Sequence, residues 1–198
     1  MIVRGPELSL RYPTEDDAPA LLELGRDPDV TRFFSWGPYE RLAEPLAYIR
    51  ALAEMRAAGT RLEFVIADRH DRPVGITGLS EFATRDRRAV VGTWLGRRHW
   101  GSGANGESKA LVLALGFREL GLLRATAYAH PANARSLAAL ERLGFRREGL
   151  LRAWHLHGES SEDCAILGLL REEWERGPLA RVPATFEGAL PPAFSRQG

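Results

Sequence analysis

Cysteine occurs once in the 198-residue chain, at Cys164. A single cysteine excludes an internal disulfide and a cysteine-rich zinc site. Lysine is equally scarce: Lys109 stands alone, and arginine supplies the rest of the 27 basic residues. The 26 acidic residues nearly cancel these, leaving a net charge of +1, so the basic excess of a nucleic-acid binder is missing. No apolar run approaches the roughly 20 residues that cross a bilayer. The opening Met1-Ile2-Val3-Arg4-Gly5-Pro6 lacks the charged-then-apolar order of a secretory signal. No internal repeat is visible. What is present is an ordinary globular composition, 44% hydrophobic and 27% charged, of a size for one domain. The cytoplasm is the default expectation, with neither nucleic acid nor membrane as a partner.

The patterning predicts a mixed chain. Leu8 to Arg11 alternates like a short strand. Thr14-Glu15-Asp16-Asp17 reads as a helix start with an acidic residue three positions on. The following helix places Ala18, Leu21 and Leu22 on one face and stops at Gly25. A second helix is expected from Glu40 to Ala57, with Pro45 in its early turns. Strands are expected at Leu62–Ala67, Pro73–Phe82 and Ala89–Leu95, their short links favouring antiparallel neighbours. An apolar helix reaches about Leu120, a strand covers Leu123–Ala129, and a helix opens at Asn133 and ends at Gly144. Leu151–His157 and Asp163–Leu169 read as a closing hairpin. One domain therefore spans residues 1–176. Residues 177–198 read as a proline-rich tail. The element order suits one mixed α/β sheet with helices on both faces.

The most informative stretch is Arg97-Arg98-His99-Trp100-Gly101-Ser102-Gly103-Ala104-Asn105-Gly106-Glu107, between a strand and a helix. Glycines allow close backbone approach, and a helix N-terminus offers free N–H donors, so the pair suits a phosphate or pyrophosphate. Gly101, Gly103 and Gly106 match the dinucleotide fingerprint literally. That motif belongs after the first strand of a βαβ unit, whereas several strands precede it here. The Walker pattern fails because Glu107-Ser108 stands where Lys and Ser/Thr belong. The frame Arg98-x-x-Gly101-x-Gly103 resembles the acetyl-CoA pyrophosphate loop of the GCN5-related N-acetyltransferases (GNAT). Asn133-Ala134-Arg135-Ser136, with a helix ending in Gly144-Phe145, resembles the second motif of that family. Leu10 to Asp17 and Asp27 to Phe33 resemble the opening of its RimJ/RimL-like branch, which acetylates ribosomal-protein N-termini. The resemblance covers about residues 8 to 174, with four motifs in the family's order. Gly103-Ala104-Asn105-Gly106-Glu107-Ser108-Lys109 departs from the branch's usual Gly-Tyr-Ala-Thr-Glu-Ala.

The resemblance implies a mostly antiparallel central sheet in which two adjacent parallel strands, Ala89–Leu95 and Leu123–Ala129, splay apart. Acetyl-CoA would be the co-substrate, with no metal. Its pantetheine arm would pair with Thr93, Trp94 and Leu95, and its pyrophosphate would rest on the backbone of Arg98, His99, Trp100, Gly101, Ser102, Gly103 and Ala104. Asn133 would contact the arm, cap its helix, or both. The acceptor amine would attack the thioester directly. Glu81 and Asp163 are candidate bases, each with the alternative of a solvated or ion-paired carboxylate. Ser136 is a candidate proton donor to the leaving thiolate, with the alternative of a first-turn serine bonded to backbone. His99 reads as structural. His155 and His157 share a strand face but lack a third metal ligand, and read as lining the acceptor cleft or solvent. Phe33, Phe34 and Trp36 read either as an acceptor wall or as core packing. The acceptor class stays open between a protein N-terminal α-amine and a small-molecule amine (an antibiotic, polyamine or amino acid). A sensor that binds acetyl-CoA without turnover is the remaining alternative, and a homodimer is left open.

Overall fold

Strand pairing dominates the computed structural model, which describes residues 1–195. In chain order the elements are β1 (Ile2–Arg4), β2 (Ser9–Arg11), α1 (Ala18–Gly25), α2 (Pro28–Thr31) and α3 (Ala43–Ala57). Next come β3 (Arg61–Ala67), β4 (Pro73–Ala83), β5 (Arg88–Leu95), α4 (Ala104–Ala114) and β6 (Arg124–Ala129). The chain closes with α5 (Ala134–Arg142), β7 (Arg146–His157), β8 (Ser160–Leu170), α6 (Arg171–Arg176) and β9 (Thr185–Glu187). Among the described residues the strands form one nine-stranded sheet in the order β7-β8-β6-β5-β4-β3-β2-β1-β9. Every pairing is antiparallel except β5 with β6. The expected mixed, mostly antiparallel sheet with one parallel pair is therefore present.

Alternation along the central strands builds two cores. Leu62, Phe64 and Ile66 of β3, with Leu79, Ala89, Val91 and Leu95, pack beneath α4. Val65, Ala67, Ile76 and Trp94 point the other way, onto α1 and α3. Ala110 to Leu115 is buried throughout, which explains the uninterrupted apolar run in α4. Pro45 lies in the first turn of α3, where its missing N–H costs nothing.

At the helix start before α1, the Asp17 carboxylate accepts from the Thr14 N–H at 2.8 Å and from both terminal nitrogens of Arg11 at 2.7 and 2.8 Å. Burial pushes the Asp17 carboxyl up, but the Arg11 guanidinium and Thr14 outweigh it and hold the group below its ordinary value.

The structure corrects several expectations. β1, α2 and α6 are additional elements, too short to show a period in the sequence. The segment from Gly177, expected as a patternless tail, carries β9, which pairs antiparallel with β1. Leu179 is buried in the α4-side core, and Phe186 and Phe194 pack against it. The prolines there separate short turns rather than preventing packing. β7 starts five residues before the expected Leu151, because its ladder with β8 continues through two register shifts.

One tertiary contact sets the position of α4. Oε1 of Glu107, in its first turn, accepts the N–H groups of Glu7 at 2.8 Å and Leu8 at 2.9 Å. A Cβ on Gly5 would meet that same oxygen at 2.6 Å, so only glycine lets the N-terminal turn come this close. Hydrogen bonds to a charged group contribute about 1.5–3 kcal/mol. Glu107→Ala should therefore lower unfolding stability by about 2 kcal/mol in chemical denaturation, with Glu107→Gln losing less because it keeps an acceptor oxygen. Wild-type stability in Glu107→Ala would show that α4 is held elsewhere.

Candidate active site

β5 and β6 run side by side for only three residue pairs: Arg88 with Arg124, Ala89 with Ala125, and Val90 with Thr126. Beyond these, β5 stays paired with β4 as far as Leu95. β6 stays paired with β8 as far as Ala129. Each strand keeps its outer partner and loses the inner one. The edge of β5 from Val91 to Leu95 is thus left unpaired inside the sheet.

The glycine loop stands at the end of that edge. Gly101 has φ 75° and Gly103 φ 92°, both in the left-handed region that glycine enters without strain. A Cβ at either position would meet nothing within 4 Å, so the loop surface is open. Around it, the Ser102 hydroxyl donates to the His99 carbonyl at 2.8 Å, and the Trp100 indole N–H donates to the Leu95 carbonyl at 3.0 Å. Arg98 Nε donates to His99 Nε2 at 3.0 Å. Burial lowers the His99 pKa, and the Arg98 charge adds to the shift. The Arg135 guanidinium lies 3.2 Å from the centre of the Trp100 ring. Among the described residues, the N–H groups of Gly101, Ser102 and Gly103 find no acceptor in the chain. Open glycine backbone, free donors and the start of α4 form a cradle for an anion.

Loop, strand edge and α5 enclose a cleft of about 400 Å³. It brings together Thr93, Trp94, Leu95, His99, Trp100, Gly101, Gly103, Asn133 and Ser136. Arg98, Ser102 and Ala104 belong to the same loop but do not line the cleft. Phe33 and Phe34 form its wall towards α2. Trp36 instead packs 5.3 Å from Trp94 in the core. Asn133 caps α5, its side-chain oxygen accepting the Ser136 N–H at 3.1 Å. The Ser136 hydroxyl has no partner among the described residues. An open strand edge, an anion cradle at its end and an apolar wall fit the arm and the pyrophosphate of acetyl-CoA.

The two carboxylates lie outside the cleft. Glu81 is exposed at the irregularity between Ser80 and Ala83 of β4, with φ 48°, a left-handed conformation unusual for a glutamate. Burial raises the Tyr128 phenol pKa, and the Glu81 charge beside it raises it further. Asp163 is committed within the β7–β8 hairpin, where its carboxylate accepts the Ala153 N–H at 2.9 Å. Ala153 is itself left-handed, at φ 51°. His155 and His157 lie on β7, at the edge of the sheet. No group of three His, Cys, Asp or Glu side chains among the described residues is arranged to hold a metal ion.

Two features escape sequence reasoning. The first is a histidine–carboxylate pair. The Ala132 N–H donates to His130 Nδ1 at 3.1 Å, leaving the ring proton for Nε2, which faces Glu162 Oε2 at 3.3 Å. The His130 ring stacks on Phe33 with centroids 5.1 Å apart. The second is Lys109. Its place in α4 makes it look like a surface lysine, yet it is 5% exposed and lines the cleft. Burial alone pushes its ammonium down to a pKa of about 7.

Residues 7–146 match the family model of the acetyltransferase (GNAT) domain. The chain is 30% identical to the uncharacterized N-acetyltransferase p20 of Bacillus licheniformis over 125 residues, 63% of this chain and 70% of that protein. The fold superimposes on a GCN5-related N-acetyltransferase from Brucella melitensis with a TM-score of 0.79 at 22% identity, covering 88% of this chain and 80% of that one. It also superimposes on the microcin C7 self-immunity acetyltransferase MccE, solved with acetyl-CoA and AMP, with a TM-score of 0.75 at 20% identity, covering 83% and 93% of the two chains.

A negative charge placed in the cradle should oppose a pyrophosphate. Gly103→Asp should weaken acetyl-CoA binding, measured by calorimetry, at least about tenfold, or 1.4 kcal/mol. Gly103→Asn, nearly isosteric and tolerant of a left-handed backbone, isolates the charge and should lose less. Equal affinities for wild type and Gly103→Asp would place the phosphates elsewhere.

Proposed function

The chain belongs to the acetyltransferase (GNAT) family and carries out acetyl-CoA-dependent acetyl transfer; from that premise we propose that the acceptor is a primary amine entering from the α1–α3 face of the sheet, and that a protein N-terminal α-amine suits the site best. The observation that carries this is the gap that opens between β5 and β6 beyond Val90 and Thr126. Thr126 and Tyr128 of β6 alternate with Ala125, Ala127 and Ala129, which are buried against the α4 side. Tyr128 therefore faces the α1–α3 side, and Glu162 does so by the same alternation on β8. Together with Glu81, His130 and Phe33 they give the gap an acidic and aromatic mouth, complementary to a cationic amine.

Bound acetyl-CoA supplies a thioester carbonyl open to attack by a neutral amine. The residues Thr93 to Leu95 present unpaired main-chain groups to hold its arm, and the loop N–H groups face its phosphates. Glu81 beside Tyr128 takes the proton that the acceptor amine must lose. An exposed carboxylate is a weak base. It is adequate for an α-amine, whose pKa is about 7.7–8.0, and much less so for a lysine amine at about 10.4. Asp163, holding Ala153, serves the hairpin rather than the chemistry. The Ser136 hydroxyl, within the positive field of the α5 N-terminus, stands in the cleft as a proton donor to the departing sulfur.

A thiol-release assay across peptides with free N-termini, amino acids, polyamines and aminoglycosides should show the highest kcat/KM for a peptide. A clear preference for a small amine would replace that acceptor class. Tight acetyl-CoA binding with no transfer to any of them would instead make the chain a sensor. With the best acceptor, Glu81→Gln should lower the rate by about 10²-fold or more. The deficit should grow as pH falls and more amine carries its proton. Ser136→Ala should lower turnover towards the small end of that range while leaving acetyl-CoA affinity unchanged. A pH–rate profile unmoved in Glu81→Gln would remove the base role.

A further inference from the structure

Lys109 has no place in the reaction just described. It is the only lysine in the chain. It stands in the second turn of α4, 5% exposed, and lines the same cleft as Gly101, Gly103, Asn105 and Gly106. Helical side chains lean towards the N-terminus, so its amine is carried back over the first turn, towards the glycine loop. Gly106, one turn earlier, has no side chain to block that path, and a Cβ there would meet nothing nearer than Leu143 Cδ2 at 3.8 Å. Among the described residues the Lys109 amine has neither a hydrogen-bond acceptor nor a carboxylate within ion-pairing distance. The neighbouring charges are engaged elsewhere. Glu107 accepts the N–H groups of Glu7 and Leu8, and Asp29 pairs with Arg97 at 2.6 Å. Arg135 covers Trp100, His99 is turned towards Arg98, and Arg142 lies at the far end of α5.

Burying an amine without a partner is costly, because its donors lose water and gain nothing. The groups beside it pose the same question. The N–H groups of Gly101, Ser102 and Gly103 also find no acceptor in the described chain. Donors on both sides call for one kind of partner, an anion rich in acceptor oxygens. We propose that Lys109 is a side-chain contact for the pyrophosphate of acetyl-CoA, and that its amine takes up a proton from solvent when the donor binds. The inference rests on the acetyl-CoA reading of the cleft and deepens it. The loop holds phosphate through neutral N–H groups, and Lys109 adds a full charge to them.

Burial without a counter-charge disfavours the ammonium and holds Lys109 at a pKa of about 7. A pyrophosphate in contact favours the ammonium and raises that value. The direction of the pH dependence follows. Below about pH 7 the free amine already carries its charge, and its contribution to binding is complete. Above that a proton must be taken up together with the donor. Affinity then falls by up to about tenfold per pH unit, until the raised value in the complex is passed.

The test is calorimetry of the full chain with acetyl-CoA at pH 8, repeated in buffers of different ionisation enthalpy to count the protons exchanged. Wild type should take up about one proton. Lys109→Met, which keeps the length of the side chain without its charge, should take up none. At pH 7 Lys109→Met should bind acetyl-CoA about tenfold to 10²-fold more weakly, as for loss of a hydrogen bond to a charged group. That deficit should shrink by pH 9. It should persist with dephospho-acetyl-CoA, which lacks the 3′-phosphate, and vanish with acetylpantetheine, which has no phosphate. Binding to wild type without proton uptake, or with equal affinity in Lys109→Met, would overturn the proposal alone. So would a deficit that vanishes with dephospho-acetyl-CoA, which would move the contact to the 3′-phosphate. Should Lys109→Met fail to fold, the proton count in wild type decides. Absence of acetyl-CoA binding to wild type would overturn both the reading of the cleft and the proposal.

Discussion

The architecture depends on the parting of β5 and β6. After Val90 and Thr126 the two strands share no further ladder, while β5 stays paired with β4 and β6 with β8. An unpaired strand edge inside a sheet is costly unless its main-chain groups find other partners. The edge from Val91 to Leu95 is such a row, and the cleft brings it beside the glycine loop and the start of α5. The same vacancy leaves room between the two strands for a ligand arm to lie along β5.

The two faces do different work. On the α4 side the helix is anchored at its first turn through Glu107 and buried along its length, so the glycine loop sits on a rigid base. The low-dielectric packing that fixes α4 also takes Lys109 out of water and lowers its pKa to about 7. On the α1–α3 side the mouth is built from more exposed pieces. These are the left-handed Glu81 of β4, the His130–Glu162 pair and Phe33 beyond the short α2.

Much of this was legible in the chain because the relevant signals are local. A glycine that must be left-handed, a helix start capped by Asn133, and strands punctuated by Gly and Pro all declare themselves within a few residues. The glycine loop before α4 reads directly from such a pattern, whereas Thr93–Leu95 and Ser136 follow only from the family resemblance. Long-range packing does not declare itself so locally. Trp94 reads as a cofactor contact, yet its ring also packs with Trp36 in the α1–α3 core. Asp163 and Glu81 look alike in the sequence; one holds a left-handed Ala153 and the other is left-handed itself. Lys109 carries no sign of burial in its neighbours Ser108 and Ala110, and the residues after Gly177 hide β9 among prolines because β9 exists only through its pairing with β1.

The central claim is that the unpaired edge of β5 and the loop beside it receive acetyl-CoA. Amide hydrogen exchange followed along the chain, with and without saturating acetyl-CoA, tests it most directly. The account predicts slowed exchange confined to Val91–Leu95, Gly101–Asn105 and the start of α5, with β3 and the β1–β9 pair unchanged. Exchange unaltered in Val91–Leu95 while acetyl-CoA is bound would contradict it.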